Sequence, residues 1–252
     1  MSAVILDGKL TAGAIKAELA SKVAELKQRN IHPGLGTLLV GQDPGSLSYV
    51  SGKHRDCEQV GVQSIRIDLP ESASEADIRK AIEDLNSAKE VTGFIVQLPL
   101  PAGIDGNSML ELIDPAKDAD GLHPMNLGKL VMNVSGEINS PMPCTPSGII
   151  ELLRRYDVPL RGAKVAVIGR GLTVGRPLGL MLTRKGVDAT PTLLHSASKN
   201  IEASIAEADI VVAALGSPNF VKPEWIKPGA AVLDVGITRS NGKLLGDVDP
   251  AV

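Results

Sequence analysis

Short apolar runs alternate with longer stretches of helical spacing along most of this chain. LGTLLV (35–40), SIRIDL (64–69) and TGFIVQL (92–98) are rich in leucine or β-branched residues and read as strands. Helical patterns cover 11–29, 44–60 and 75–88. The second half repeats the alternation with KVAVIG (164–169), PTLLH (191–195), DIVVAAL (209–215) and AAVLDVG (230–236). Apolar runs of this kind fit strands covered on both faces, so the pattern predicts parallel α/β sheets. The stretch 114–146 breaks the rhythm. It is rich in Gly, Pro, Asn and Asp and reads as a long loop of the kind that carries function or joins domains. A boundary near 140 follows, with a helix over 147–156 leading into the second domain. The expected fold class is α/β with two domains, 1–140 and 141–252, and the crevice between them is the default ligand site.

Composition narrows the function. At 43% hydrophobic and 22% charged residues, the 252-residue chain can bury a sizeable core. A net charge of -3 without a basic run, and only 2% aromatic residues, argue against nucleic acid as a partner. MSAVILDGKL has no signal-peptide pattern and no apolar run reaches membrane-spanning length, so the expectation is a soluble, cytoplasmic protein without a membrane partner. Two cysteines, Cys57 and Cys144, are too few for a disulfide framework or a zinc cluster.

VAVIGRGLTVGRPLG (165–179) is the most informative local pattern. A buried strand runs into Gly169, Gly171 and Gly175 and then into a helix starting near Val174. Glycines let such a turn close and let backbone N–H groups approach a phosphate at the helix start. The spacing is one residue longer than the usual dinucleotide fingerprint, and a purely structural βα turn is the competing reading. Its position at the start of a βαβ unit favours dinucleotide binding and a Rossmann-like second domain. The next strand ends in His195 and Ser196 with no acid, while Arg170 leaves the glycine loop. A hydroxyl and a guanidinium suit a 2′-phosphate, so NADP is preferred to NAD; a merely solvated Arg170 is the alternative.

On the other side of the boundary, Asp43 and Pro44 suit a helix start. Tyr49, Lys53, Cys57 and Val60 then share one helical face, three of them residues that bury. Lys53 in that stripe either snorkels outward or is held partly desolvated and ready for proton transfer. Gly52 costs helix stability and suggests that another group comes close. Gln97 ends a strand, where it orients a ligand, holds Lys53 or makes a capping hydrogen bond. KDADGLHP (117–124) carries Asp118, Asp120 and His123, but aspartates in such a loop are commonly turn-formers, and no metal is expected. Cys144, with no histidine partner nearby, reads as a packed or cofactor-adjacent thiol.

YVSGK (49–53), GFIVQLPLP (93–101), KDADGLHP (117–124), PCTPSGI (143–149), GRGLTVGRP (169–177) and DVGI (234–237) follow one another in an order and spacing that resembles the bifunctional methylenetetrahydrofolate dehydrogenase/methenyltetrahydrofolate cyclohydrolase family. The resemblance covers essentially the whole chain. It implies a folate-binding catalytic domain followed by an NADP-binding domain, and oxidation of 5,10-methylenetetrahydrofolate followed by hydrolysis to 10-formyltetrahydrofolate. It implies Lys53 as the principal catalytic residue with Tyr49 and Gln97, Tyr49 stacking on the pterin side of the folate, and Asp120 hydrogen-bonded to the pterin. Arg170 and Ser196 would take the 2′-phosphate, and Thr145, Gly169, Gly171, Gly175, Gly216 and Ile237 would complete the cofactor site. A homodimer through the cofactor domain is implied as well.

The sequence departs from the family pattern twice. Members often carry Ser at the position of Gly171. The pattern also continues beyond the GDVDP-like segment with a Pro-Gly-Gly-Val-Gly-Pro loop and a final helix, whereas this sequence stops at Val252. A chain lacking its closing segment is therefore expected, with a catalytically silent or monofunctional NADP/folate-binding module as the alternative.

Overall fold

A computed structural model describes residues 3–240 and 243–252. The chain divides into two compact units, the first made of 1–126 with 140–142 and the second of 127–139 with 143–252. It passes from one unit to the other more than once, whereas the sequence pattern suggested one boundary near 140.

Unit 1 opens with α1 (Gly8–Gln28), capped by the Asp7 side chain. Val23 is its one buried residue, and a Lys16–Asp56 ion pair at 2.9 Å ties it to α2 (Pro44–Val60). Strands β1 (Gly34–Val40), β2 (Gln63–Leu69) and β3 (Gly93–Val96) form a parallel sheet in the order β2-β1-β3, with α3 (Glu75–Ser87) between β2 and β3 in sequence. The central β1 is buried almost throughout, as an apolar run between two neighbours requires. The edge strand β2 instead alternates between exposed and half-buried positions, so double-sided cover does not extend to SIRIDL.

The stretch 114–146 is less loop-like than its composition suggested. After α4 (Gly106–Leu110), it holds α5 (Pro124–Met132), within which the division between the units falls, and the first turn of α6 (Cys144–Arg155). Proline begins α5 at a position where no helical N–H is needed, so a residue that signals a loop here starts a helix.

Unit 2 is a four-stranded parallel sheet of order β5-β4-β6-β7, built from β4 (Lys164–Ile168), β5 (Thr190–Leu194), β6 (Ile210–Ala213) and β7 (Ala231–Asp234). Helices α7 (Gly175–Leu182) and α8 (Ile201–Ala206) lie in the connections between β4, β5 and β6. An antiparallel hairpin of β8 (Thr238–Ser240) and β9 (Lys243–Leu245) follows β7. Ala166, Ile168, Leu194, Ile205, Val211, Ala213 and Val221 form a buried cluster, against which Phe220 and Trp225 pack edge to face. In both sheets the first strand lies inside and the next two flank it on opposite sides. The point of reversal, between β1 and β3 and between β4 and β6, is where ligands bind at the C-terminal strand ends of open α/β sheets.

Candidate active site

In unit 1 the reversal point is occupied by Gln97, whose backbone N–H donates to the Leu38 carbonyl at 2.9 Å. This places its side chain just past the C-terminal end of β3. Lys53 reaches it from α2: Nζ donates to Gln97 Oε1 at 3.1 Å, while Gln97 Nε2 donates to the Leu98 carbonyl at 2.8 Å. Lys53 therefore does not snorkel away, and Gln97 both caps its own strand and holds the lysine.

The helix that delivers Lys53 is fixed at both ends. Asp43 accepts from the Ser46 N–H at 2.7 Å, Pro44 starts the first turn, and Gly61 ends the helix in the left-handed conformation at φ 80. Its buried face consists of Ser46, Val50, Cys57 and Val60. Tyr49 is not part of that face: it is 50% exposed, which corrects the expected burying stripe. The stripe fails because Val50, one position on, satisfies the packing and turns Tyr49 outward. A methyl group on Gly52 would meet only the far end of the Arg55 side chain, at 3.9 Å, so no group approaches it and the structure gives no reason for that glycine. Next to Lys53, His54 bonds Thr37 of β1 at 2.9 Å and Ser64 of β2. Burial and then the Arg66 charge hold its imidazole below the ordinary value, and its two bonds tie helix to sheet.

Asp120 is brought to the same region by a strand-like segment. Phe94 N–H donates to the Lys117 carbonyl and Ala119 N–H to the Phe94 carbonyl, so 117–119 runs alongside β3. Lys117 Nζ donates to the carbonyls of Asn86 and Ala88, both at 2.8 Å, at the end of α3. Asp118 is completely buried and accepts from the N–H groups of Leu122 and His123 and from Asn126 Nδ2. With these two side chains committed to structure, Asp120 is the remaining acid of the segment and is half-buried. Burial pushes its carboxyl above the usual carboxylate range; the Lys53 ammonium pulls it back and the Asp118 charge adds to the rise. His123 is also committed, with Nδ1 accepting from the Met125 N–H at 3.0 Å. Among the described residues no group of three or more His, Cys, Asp or Glu could hold a metal ion. A cavity of about 450 Å³ in unit 1 lies at the other end of the strands, beside Gly34, Gly93 and Cys57, and none of Tyr49, Lys53, Gln97 and Asp120 lines it.

In unit 2 the glycine loop follows β4 at the second reversal point. Gly169 has φ 126, and a side chain on it would strike the Ala214 carbonyl beyond β6. A side chain on Gly175 would strike the Gly169 carbonyl and come within 3.1 Å of Arg170 Cα. Those two glycines close the loop on itself and on its neighbour. Gly171 is exposed with nothing within 4 Å of its would-be side chain, while its carbonyl accepts from the Arg176 N–H at 3.2 Å. Arg170 and Ser196 each lie two residues beyond the paired positions Ile168 and Leu194, so both stand exposed at the ends of adjacent strands. Thr145 is exposed in the first turn of α6, Gly216 follows β6 with φ 69, and Ile237, 48% exposed, follows β7.

Two acidic residues that sequence reasoning did not single out hold these loops together. Asp247 is fully buried, and its Oδ2 accepts from the N–H groups of Leu215 at 2.7 Å and Gly216 at 2.9 Å. Asp234 Oδ1 accepts from Gly236 and Asp247 N–H, and its Oδ2 from Val248 N–H. The signal available in the sequence was an acid beside glycine at two places, Asp234-Val-Gly236 and Gly246-Asp247.

Comparison with known proteins assigns both units. Residues 6–120 match the family model of the tetrahydrofolate dehydrogenase/cyclohydrolase catalytic domain, and residues 143–252 match that of the NAD(P)-binding domain of the same enzymes. The chain belongs to the tetrahydrofolate dehydrogenase/cyclohydrolase family. Among solved structures it is similar to the bifunctional FolD methylenetetrahydrofolate dehydrogenase/cyclohydrolase of Campylobacter jejuni, at 38% identity and TM-score 0.92, covering 98% of this chain and 86% of that one. The Trypanosoma brucei dehydrogenase-cyclohydrolase, solved with NADP cofactor and an inhibitor, is 39% identical with TM-score 0.91 over the same shares. A 5,10-methylenetetrahydrofolate dehydrogenase of the silkworm Bombyx mori is 35% identical, with TM-score 0.91, covering 99% of this chain and 87% of that chain.

Proposed function

We propose that this family member oxidises 5,10-methylenetetrahydrofolate to 5,10-methenyltetrahydrofolate with NADP and hydrolyses the product to 10-formyltetrahydrofolate, with Lys53, Tyr49 and Gln97 at the reacting centre. The observation that carries the reading is the Lys53–Gln97 hydrogen bond at a strand reversal point, with Asp120 in the field of the same ammonium. Tyr49 offers a half-exposed ring for stacking on the pterin side of the folate, and Asp120 offers a carboxyl for its hydrogen-bonding edge.

The residues of unit 2 fit a dinucleotide. The absence of a side chain at exposed Gly171 leaves room for a pyrophosphate beside the loop, and Arg170 and Ser196 offer a cation and a hydroxyl from adjacent strand ends for a 2′-phosphate. We assign Gly169 and Gly175 to loop closure and Thr145, Gly216 and Ile237 to the rest of that site. NADP, when bound, supplies the hydride acceptor. The oxidation asks the protein chiefly for orientation, which we assign to Tyr49, Gln97 and Asp120. In the hydrolysis, water adds to the methenyl carbon and loses a proton, and the bond from that carbon to one ring nitrogen breaks. We assign to Lys53 the transfer at that cleavage, with Gln97 fixing the direction of its Nζ. The proton first lost by the water goes to solvent. The Lys53 ammonium gives a proton to the departing ring nitrogen, and it regains one from the adduct hydroxyl as that oxygen becomes the formyl carbonyl.

We further infer that the enzyme works in the cytoplasm as a homodimer joined through unit 2. Supporting the dimer, Leu180 on α7 and Leu193 on the edge strand β5 are 36% and 44% exposed, so apolar side chains coincide with an unpaired strand edge. No helix among the described residues is long and apolar enough to cross a membrane. Assay of the two half-reactions separately, alongside calorimetric titration with NADP and a folate analogue, tests the function. Turnover in both supports the reading; binding of both ligands without turnover contradicts it.

A further inference from the structure

Asp247 lies far in sequence from the glycine loop, yet its carboxylate ends at the wall on which that loop closes. Its Oδ2 takes the N–H groups of Leu215 and Gly216, the two residues after Ala214. The Ala214 carbonyl is what any side chain at Gly169 would strike, so the position of this segment sets how closely the glycine loop can pack. The same carboxylate lies against Gly236, where any side chain would collide with it, immediately before Ile237. Its own backbone is fixed from both directions: Asp247 N–H donates to Asp234 Oδ1 at 2.9 Å, and Val221 N–H donates to the Asp247 carbonyl at 3.0 Å. One fully buried side chain thus bonds the loop after β6 and packs against the turn after β7, whose Gly236 N–H is taken by Asp234, at the base of the β8–β9 hairpin.

We propose that Asp247 is a positioning residue for the cofactor: it holds the Leu215–Gly216 segment and the Gly236–Ile237 turn in the arrangement that NADP requires. This inference rests on NADP binding by unit 2. A carboxylate suits the role because one oxygen can accept two converging N–H groups without a donor of its own in the way. Asparagine can present the same acceptor oxygen, since the second carboxylate oxygen of Asp247 has no hydrogen-bond partner among the described residues. Alanine cannot.

The test compares wild type, Asp247→Ala, Asp247→Ser and Asp247→Asn, measuring KM for NADP, KM for methylenetetrahydrofolate, kcat and NADP affinity by titration, with circular dichroism to establish folding. The expected result is a rise in NADP KM and dissociation constant of about tenfold or more for Asp247→Ala, an unchanged folate KM, and recovery towards wild type in Asp247→Asn. Asp247→Ser takes the place of Asp247→Ala should the latter not fold. An unchanged NADP affinity in a folded Ala or Ser variant overturns the inference, as does equal loss for both substrates. Recovery of both variants only as unfolded protein also overturns it, because Asp247 would then serve the stability of the whole unit. A wild type that does not bind NADP defeats the cofactor reading itself and this inference with it.

Discussion

Lys53 and Asp120 share one electrostatic environment but differ in what the protein does to them. Lys53 is oriented by a neutral amide, that of Gln97. Asp120 is half-buried, and its desolvation works against its ionised form. The folded chain therefore holds the Asp120 proton more tightly than the unfolded chain does. The group favours folding below its unfolded pKa and loses that contribution as pH rises through the folded value. Asp120→Asn is accordingly expected to raise Tm at neutral pH and to leave it nearly unchanged in acid below the ordinary aspartate range, which calorimetry across that span checks. The same substitution is expected to raise the folate KM, a stability gain set against function. An Asp120→Asn variant that is less stable than wild type at neutral pH would show that the carboxylate is not strained there.

At the scale of elements, the two sites depend on short segments with committed side chains. Asp43 caps α2, and Asp43→Ala is expected to cost about 1 kcal/mol of stability, read from urea unfolding, since it removes the bond to the Ser46 N–H. In the glycine loop, Gly175→Ala puts a methyl group into the Gly169 carbonyl. Strain of that kind is expected to weaken NADP binding by about ten- to a hundredfold, with folate-analogue binding retained; titration of both ligands tests it. These elements differ in how far they could be read from sequence. The bounds of helix α2, from Pro44 to Val60, are legible because the Asp43-Pro44 start and the periodicity are local signals. The turn from β4 into α7 was visible for the same reason. Helix α5 was hidden by Pro124 and Gly128, which mark turns in most contexts. The outward position of Tyr49 was hidden because Val50 competes for the same packing space. The bonds of Asp247 to Leu215 and Gly216 span 32 and 31 residues, a separation at which no local pattern reports contact.

Across the whole molecule, one architectural device appears in each unit: a parallel sheet whose strand order reverses, with functional candidates gathered at the C-terminal strand ends. Gln97 and Lys53 occupy that position in unit 1, and the glycine loop with Arg170 and the Asp247-held segment occupies it in unit 2. Membership of the family joins them into one enzyme with two successive activities, and Lys53 is the residue proposed to carry the second. Cyclohydrolase and dehydrogenase turnover of Lys53→Ala beside wild type probes that role most directly, with folding and NADP affinity measured on the same samples. NADP affinity is expected to stay unchanged, the cyclohydrolase rate to fall by about a hundredfold or more, and the dehydrogenase rate to fall as well. A folded Lys53→Ala variant that hydrolyses methenyltetrahydrofolate at the wild-type rate would contradict the role assigned to Lys53.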